Sequence, residues 1–148
     1  MALKQQLEEE LKTAMRGKDE LGKRVIRSIM TNIKLAEVEK GGPLDEASLL
    51  ALVQKELKVR DEAIEGAEKA SRDDLVKENQ AEKVFLERFL PKQLSQDELI
   101  ELARNVIVEV HASQLSDMGK IMKIIIPRVA GRAPNAQVSQ VVKELLQQ

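Results

Sequence analysis

Apolar residues recur at helical spacing along the whole chain, and nowhere do apolar and polar residues alternate for more than a few positions. A period near 3.6 puts an apolar stripe on one side of a helix, and that stripe must be buried against other helices. The pattern predicts an all-α protein of about seven helices. Leu3, Leu7, Leu11, Ala14 and Met15 outline a first helix over 2–16, which Gly17 breaks. Asp19 can cap a second helix from about Glu20 to Glu39, with Val25, Ile26, Ile29, Ile33 and Ala36 inward. Gly41-Gly42-Pro43 reads as a loop. Asp45 then caps a third helix through Leu49, Leu52, Val53 and Leu57 to about Ala63, and Gly66 weakens or ends it. A fourth starts behind Ser71 or Asp73 and carries Leu75, Val76, Ala81, Val84, Phe85 and Phe89 as its apolar residues, until Leu90-Pro91 stops it.

Directly after that stop comes Ser95-x-x-Glu98, a capping box in which each side chain satisfies the other's backbone N–H, with Leu94 and Leu99 placed as a hydrophobic staple. The boundary therefore falls at Leu90 to Ser95. It separates an N-terminal multi-helix domain, 1–90, from a small three-helix C-terminal domain, 95–148. The fifth helix runs through Leu102, Ala103, Val106, Ile107 and Val110. The sixth starts behind Ser116 or Asp117, and Pro127 should end or kink it. Met118, Ile121, Met122, Ile124, Ile125 and Ile126 cover most of its circumference, so it should be well buried. Gly131 suits a turn, and a seventh helix starts at Asn135 or with Pro134 in its first turn. Val138, Val141, Val142, Leu145 and Leu146 form its apolar face.

Charge is unevenly spread. The whole chain is at −1, yet from Met118 onward Lys120, Lys123, Arg128, Arg132 and Lys143 face one acid, Glu144. A local positive field on an otherwise acidic chain fits an anionic partner or an ordinary basic helical hairpin in equal measure. Lys23, Arg27 and Lys34 make a second basic face, within roughly 40° of one another on the helical wheel, which ordinary surface charge also explains. Phe85 and Phe89 are the only aromatic residues, which argues against a base-stacking platform. There is no cysteine and only one histidine, His111, expected at a surface or helix end, so no metal site and no cofactor are foreseen. No phosphate loop, no G-x-G-x-x-G and no nucleophile elbow occurs, so no catalytic residue is assigned. The start, MALKQQLEEELK, is too polar for a secretory segment, and no apolar run approaches the roughly 18 residues of a membrane span. The expectation is a cytoplasmic protein without a membrane partner.

The run Met118-Gly119-Lys120-Ile121-Met122-Lys123, then Pro127, Gly131-Arg132-Ala133, Val138-Ser139 and Val142-Lys143 with Leu146, resembles the YqeY family. Lys55-Glu56-Leu57-Lys58-Val59-Arg60 and Phe89-Leu90-Pro91-Lys92-Gln93-Leu94-Ser95 extend the resemblance over nearly the whole chain. The sequence departs from the family at Ala133-Pro134-Asn135-Ala136, where Ala-Asp-Gly is expected; Asn135 can replace the aspartate as N-cap. The family's C-terminal domain is similar to the tail of the B subunit of glutamine-dependent aminoacyl-tRNA amidotransferases. The resemblance thus implies a link to carbon–nitrogen ligases that use glutamine as amido-N donor, but the ATP-using and ammonia-releasing parts of such enzymes have no counterpart here. What it implies is a non-catalytic module binding structured RNA, in the first place tRNA, through Lys120, Lys123, Arg128, Arg132 and Lys143. Beside it stand two other readings. One is a protein-interaction module docking on an enzyme, such as an amidotransferase or an aminoacyl-tRNA enzyme, or on an acidic partner. The other is an amidotransferase component active only in a complex.

Overall fold

The computed structural model describes residues 2–148, which form seven α-helices and one 3-10 turn with no strand among them. In chain order these are α1 (Leu3–Arg16), α2 (Glu20–Lys40), α3 (Glu46–Lys69), α4 (Asp73–Glu87), α5 (Gln96–Glu109), the 3-10 turn Leu115–Asp117, α6 (Met118–Val129) and α7 (Asn135–Leu146). They fall into two compact units, one ending at Leu90 and one spanning Pro91–Gln148.

In the first unit, α2 touches α1, α3 and α4, and α3 and α4 pair most extensively. The helix starts follow local chemistry. Asp19 accepts from Gly22 N–H at 3.0 Å and Asp45 from Ser48 N–H at 2.8 Å, each satisfying a donor the helix leaves open. Glu46 reaches across to the start of α1 and accepts from Leu3 N–H at 2.8 Å, so a residue of α3 caps another helix. Leu3, Leu7, Val25, Ile26, Ile29, Ile33, Leu49, Val53, Phe85, Leu86 and Phe89 make the core.

Three sequence expectations fail in this unit. The third helix does not stop near Ala63. It passes through Gly66 to Lys69 and buries Ala67 beyond it. The end is set by a Schellman turn instead, with Ser71 at φ 56°, Ser71 N–H on Glu68 O and Arg72 N–H on Ala67 O. Ser71 is thus the left-handed residue of that turn, Asp73 lies inside α4, and the cap position belongs to Arg72, which makes no side-chain cap bond. The fourth helix ends at Glu87, short of Phe89. Its fully buried residues are Phe85 and Leu86, whereas Val84 and Leu75 are exposed.

Two glycines make opposite forecasts. Nothing lies near a Cβ built on Gly66, which is exposed in the last turn of α3. Gly66→Ala should stabilise by about 0.5–1 kcal/mol through backbone entropy alone. A Cβ on Gly22 would sit 2.6 Å from the capping carboxylate of Asp19 and 3.2 Å from Phe85 Cε2. Gly22→Ala should cost about 1–3 kcal/mol. Thermal melts should therefore move in opposite directions.

In the second unit α5, α6 and α7 each contact the other two around Leu99, Ala103, Val106, Ile121, Ile125, Val129, Ala133, Val138, Val141, Val142 and Leu146. The capping box forms, Glu98 N–H on Ser95 Oγ and Ser95 N–H on Glu98 Oε1, both 3.1 Å, and it holds the Glu98 carboxyl below its usual range. The stretch before it belongs to this unit too. Leu94 N–H donates to Arg132 O at 2.8 Å and Gln93 Nε2 to Gly131 O at 3.2 Å.

Here too local rules were overruled. Pro127 does not end α6, which continues to Val129. The proline removes one ladder bond, but Ile125 and Val129 on either side of it are 0% and 1% exposed. Burying two such side chains contributes about 1.5–3 kcal/mol each, enough to offset the roughly 3 kcal/mol cost of the proline. Only Ile121, Ile125 and Val129 of α6 are fully buried, so one face rather than most of the circumference is inside. Neither Ser116 nor Asp117 caps α6 with its side chain. Asp117 Oδ2 turns back to accept from Ser113 N–H at 2.9 Å and Gln114 N–H at 3.2 Å. Those two backbone bonds keep its carboxyl below the ordinary value. Asn135 is the first residue of α7 and not its cap; Pro134 holds that position without a side-chain bond. His111, with φ 55°, is the left-handed residue of the turn that closes α5.

Candidate functional site

The five basic residues of the tail share one unit but not one condition. Lys123 stands on the side of α6 turned away from Ile121 and Ile125, exposed and without an ion pair or hydrogen-bond partner. Lys143 is similarly exposed and unpaired on α7, one position beyond the buried Val142. Their free ammonium groups are available to an incoming anion.

The other three are already engaged. Arg128 lays its guanidinium fork on the Glu109 carboxylate, at 2.8 Å and 2.7 Å, across nineteen positions of chain. The pairing lowers the carboxyl pKa of Glu109 and raises that of Arg128. Arg132 donates from Nε to Val129 O at 3.0 Å, a carbonyl that its own backbone N–H also reaches, and from Nη2 to Arg128 O at 2.8 Å, near the end of α6. Lys120 donates to Val110 O at 3.2 Å, at the end of α5. These contacts are the favourable placement of cations at helix C-termini, and they hold the helix ends of this unit. The structure therefore leaves two free cations, with one paired and two tied to main chain. Sequence reasoning could not see the Glu109 pairing, because it depends on which turn of α5 lies beside α6.

On α2 the second basic face is also divided. Lys23 pairs with Glu20 at 2.7 Å, while Arg27 and Lys34 have exposed side chains without an ion pair. Of the stretch 55–60, Arg60 goes into the interior of the first unit. It pairs with Glu56 and with Glu82 at 3.4 Å, and Asn32 donates to Glu56 at 2.8 Å. Arg24 joins the cluster through Glu82 at 3.0 Å and Glu78 at 3.1 Å. The placement of Glu56 and Arg60 on the arc of α3 that meets Asn32 of α2 and Glu82 of α4 is what takes them out of the solvent.

A shallow groove beside α1 is lined by Gln6, Glu9, Glu10, Thr13, Arg88 and Phe89. Its polar groups form the Arg88–Glu10 ion pair and the bond from Thr13 Oγ1 to Glu9 O, which make no nucleophile–base pair. Among the described residues no group of three or more His, Cys, Asp or Glu side chains is placed to hold a metal, and no helix is long and apolar enough to cross a membrane.

The family model described as Yqey-like protein matches residues 4–146. The chain belongs to the YqeY family. The chain is similar to the protein named Altered inheritance of mitochondria protein 41, mitochondrial, from Eremothecium gossypii, 36% identical over 57% of this chain and 46% of that protein. The namesake from Pyrenophora tritici-repentis is 27% identical over 95% of this chain and 78% of its own length. That from Lachancea thermotolerans is 33% identical over 74% and 60%. Against two of these three the chain spans about half to three fifths of the relative's length. The cytoplasmic expectation is overturned by these relatives, which are named as mitochondrial proteins.

Proposed function

We propose that this YqeY chain is a non-catalytic binding module for structured RNA, in the first place tRNA, with phosphates meeting the second unit. The observation that carries the reading is the pair of free, exposed cations Lys123 and Lys143 on a stretch with a single acid. Scarcity of aromatic residues favours recognition of backbone and shape over stacking on bases. Arg128 would join by exchanging Glu109 for a phosphate. Arg132 and Lys120 would act by holding the helix ends in place. The association with tRNA-dependent amidation rests on the resemblance of the tail to the amidotransferase B subunit.

The test is salt-dependent binding of the full chain to bulk tRNA. Lys123→Ala and Lys143→Ala should each weaken binding and lower the salt slope by roughly 0.7–0.9, with unchanged melting. Arg128→Ala should cost less binding, because its charge is already matched. Lys120→Ala and Arg132→Ala should instead destabilise the fold by about 1 kcal/mol. Lys12→Ala, exposed on α1, serves as control. A folded Lys123→Ala, Lys143→Ala double variant that binds tRNA like the parent, with the same slope, would end the RNA reading.

A further inference from the structure

The outward face of α2 carries an unassigned surface. This helix contacts all three others in its unit, yet one side remains bare. Leu35 and Val38, three residues apart, are 61% and 79% exposed. Arg27, Thr31 and Lys34 are exposed around them, and neither cation has an ion-pair partner. On a helical wheel these five positions fall within an arc of about 100°, opposite the buried Ile26, Ile29 and Ile33. Between Arg27 and Val38 no acid lies on the arc; Glu20, at the same angle two turns earlier, is paired with Lys23 at 2.7 Å, and Glu39 stands about 40° beyond its edge. Glu37 points elsewhere and pairs with Lys4 at 3.1 Å.

We propose that this face docks an acidic amphipathic helix of a partner protein. Two features select that occupant. Leu35 and Val38 gain by leaving water against aliphatic side chains, which a phosphate backbone does not offer. Arg27 and Lys34, unmatched within the chain, call for carboxylates at the rim of the same contact, where they set orientation and exclude basic partners. The spacing of apolar groups and cations over three turns matches a helix laid along α2. The surface is small, so the complex is transient, with affinity in the micromolar range. The basic face and the aliphatic pair thus belong to one surface, distinct from the tail cations of the second unit.

The probe is a stapled 21-residue helix with leucines along one seam and glutamates flanking them, titrated against the full chain, beside a twin carrying lysines in place of the glutamates. The acidic helix should bind with a Kd of tens of micromolar, and the basic twin on the order of tenfold more weakly or not at all. Leu35→Ser with Val38→Ser should abolish acidic-helix binding, and Arg27→Glu with Lys34→Glu should reverse the preference between the twins. Both variants should keep their melting, because the changed side chains are exposed. Met15→Ser, an exposed apolar residue off this face, should bind as the parent does. Failure of the acidic helix to bind, equal binding of the two, or retained binding by the serine variant would overturn the proposal. Sedimentation showing a dimer of the parent that the serine variant dissociates would assign the face to a second copy instead. Loss of tRNA binding in the serine variant, with no helix binding by the parent, would assign it to nucleic acid.

Discussion

Ile125→Ala should unfold the second unit while leaving the first intact. Ile125 is fully buried at the centre of α6, next to the ladder bond that Pro127 removes. Truncation of such a residue costs about 2–5 kcal/mol, from lost transfer energy and the cavity left behind. A unit of roughly 60 residues has only about 3–9 kcal/mol of stability to lose. We therefore expect the parent's denaturant unfolding to resolve into two transitions and the variant to lack one of them, with near-complete retention of helical signal from α1 to α4. Residues 91–148 alone should show the transition that the variant loses. The fragment 95–148 should be weaker, since it forfeits the bonds from Leu94 and Gln93 to the Gly131–Arg132 turn. A single transition that Ile125→Ala shifts as a whole would mean that the two units unfold as one.

Glu82→Ala should be the most damaging change of a charged residue in the first unit. Its carboxylate serves Arg24 at 3.0 Å and Arg60 at 3.4 Å, and the Arg60 and Glu82 side chains are only 11% and 13% exposed. Removing the acid leaves Arg60 largely desolvated with Glu56 as its remaining partner, and Arg60 Nε already lacks a well-aligned acceptor. Breaking a buried pair from one side costs about 3–5 kcal/mol, and partial exposure brings the expected loss here to about 2–4 kcal/mol. Glu65→Ala, which breaks the exposed i,i+4 pair with Lys69, should cost less than about 0.5 kcal/mol. The double change Arg60→Met, Glu82→Leu should recover part of the loss, because apolar groups of similar size need no partner. A cycle of single and double variants by urea denaturation checks this. Equal small losses for Glu82→Ala and Glu65→Ala would show that the cluster is solvated after all.

The features legible in the sequence are those governed by near neighbours in the chain. Helical period, the Asp19 and Asp45 caps, the Ser95–Glu98 box and the break at Gly41 each depend on residues within one or two turns. Helix identity and order followed from them, whereas membership of the YqeY family was legible in residue runs such as Met118–Lys123 and Phe89–Ser95. The interruptions were misread wherever burial outweighed local preference. Gly66 and Pro127 are poor helix residues, but Ala67, Ile125 and Val129 gain more from burial than those residues cost. Asp117 had two sets of N–H groups within reach, and only the path of the chain from Val110 to Met118 decides between them. The candidate site shows the same division. Its basic residues were countable from the sequence, whereas their availability was not. Arg128 is matched by an acid nineteen positions away, Arg132 and Lys120 are held by carbonyls at helix ends, and Lys123 and Lys143 alone of the five remain free. Ion pairing and burial are properties of which helix faces meet, and a pattern with a period of 3.6 residues orients each face without naming the one opposite it.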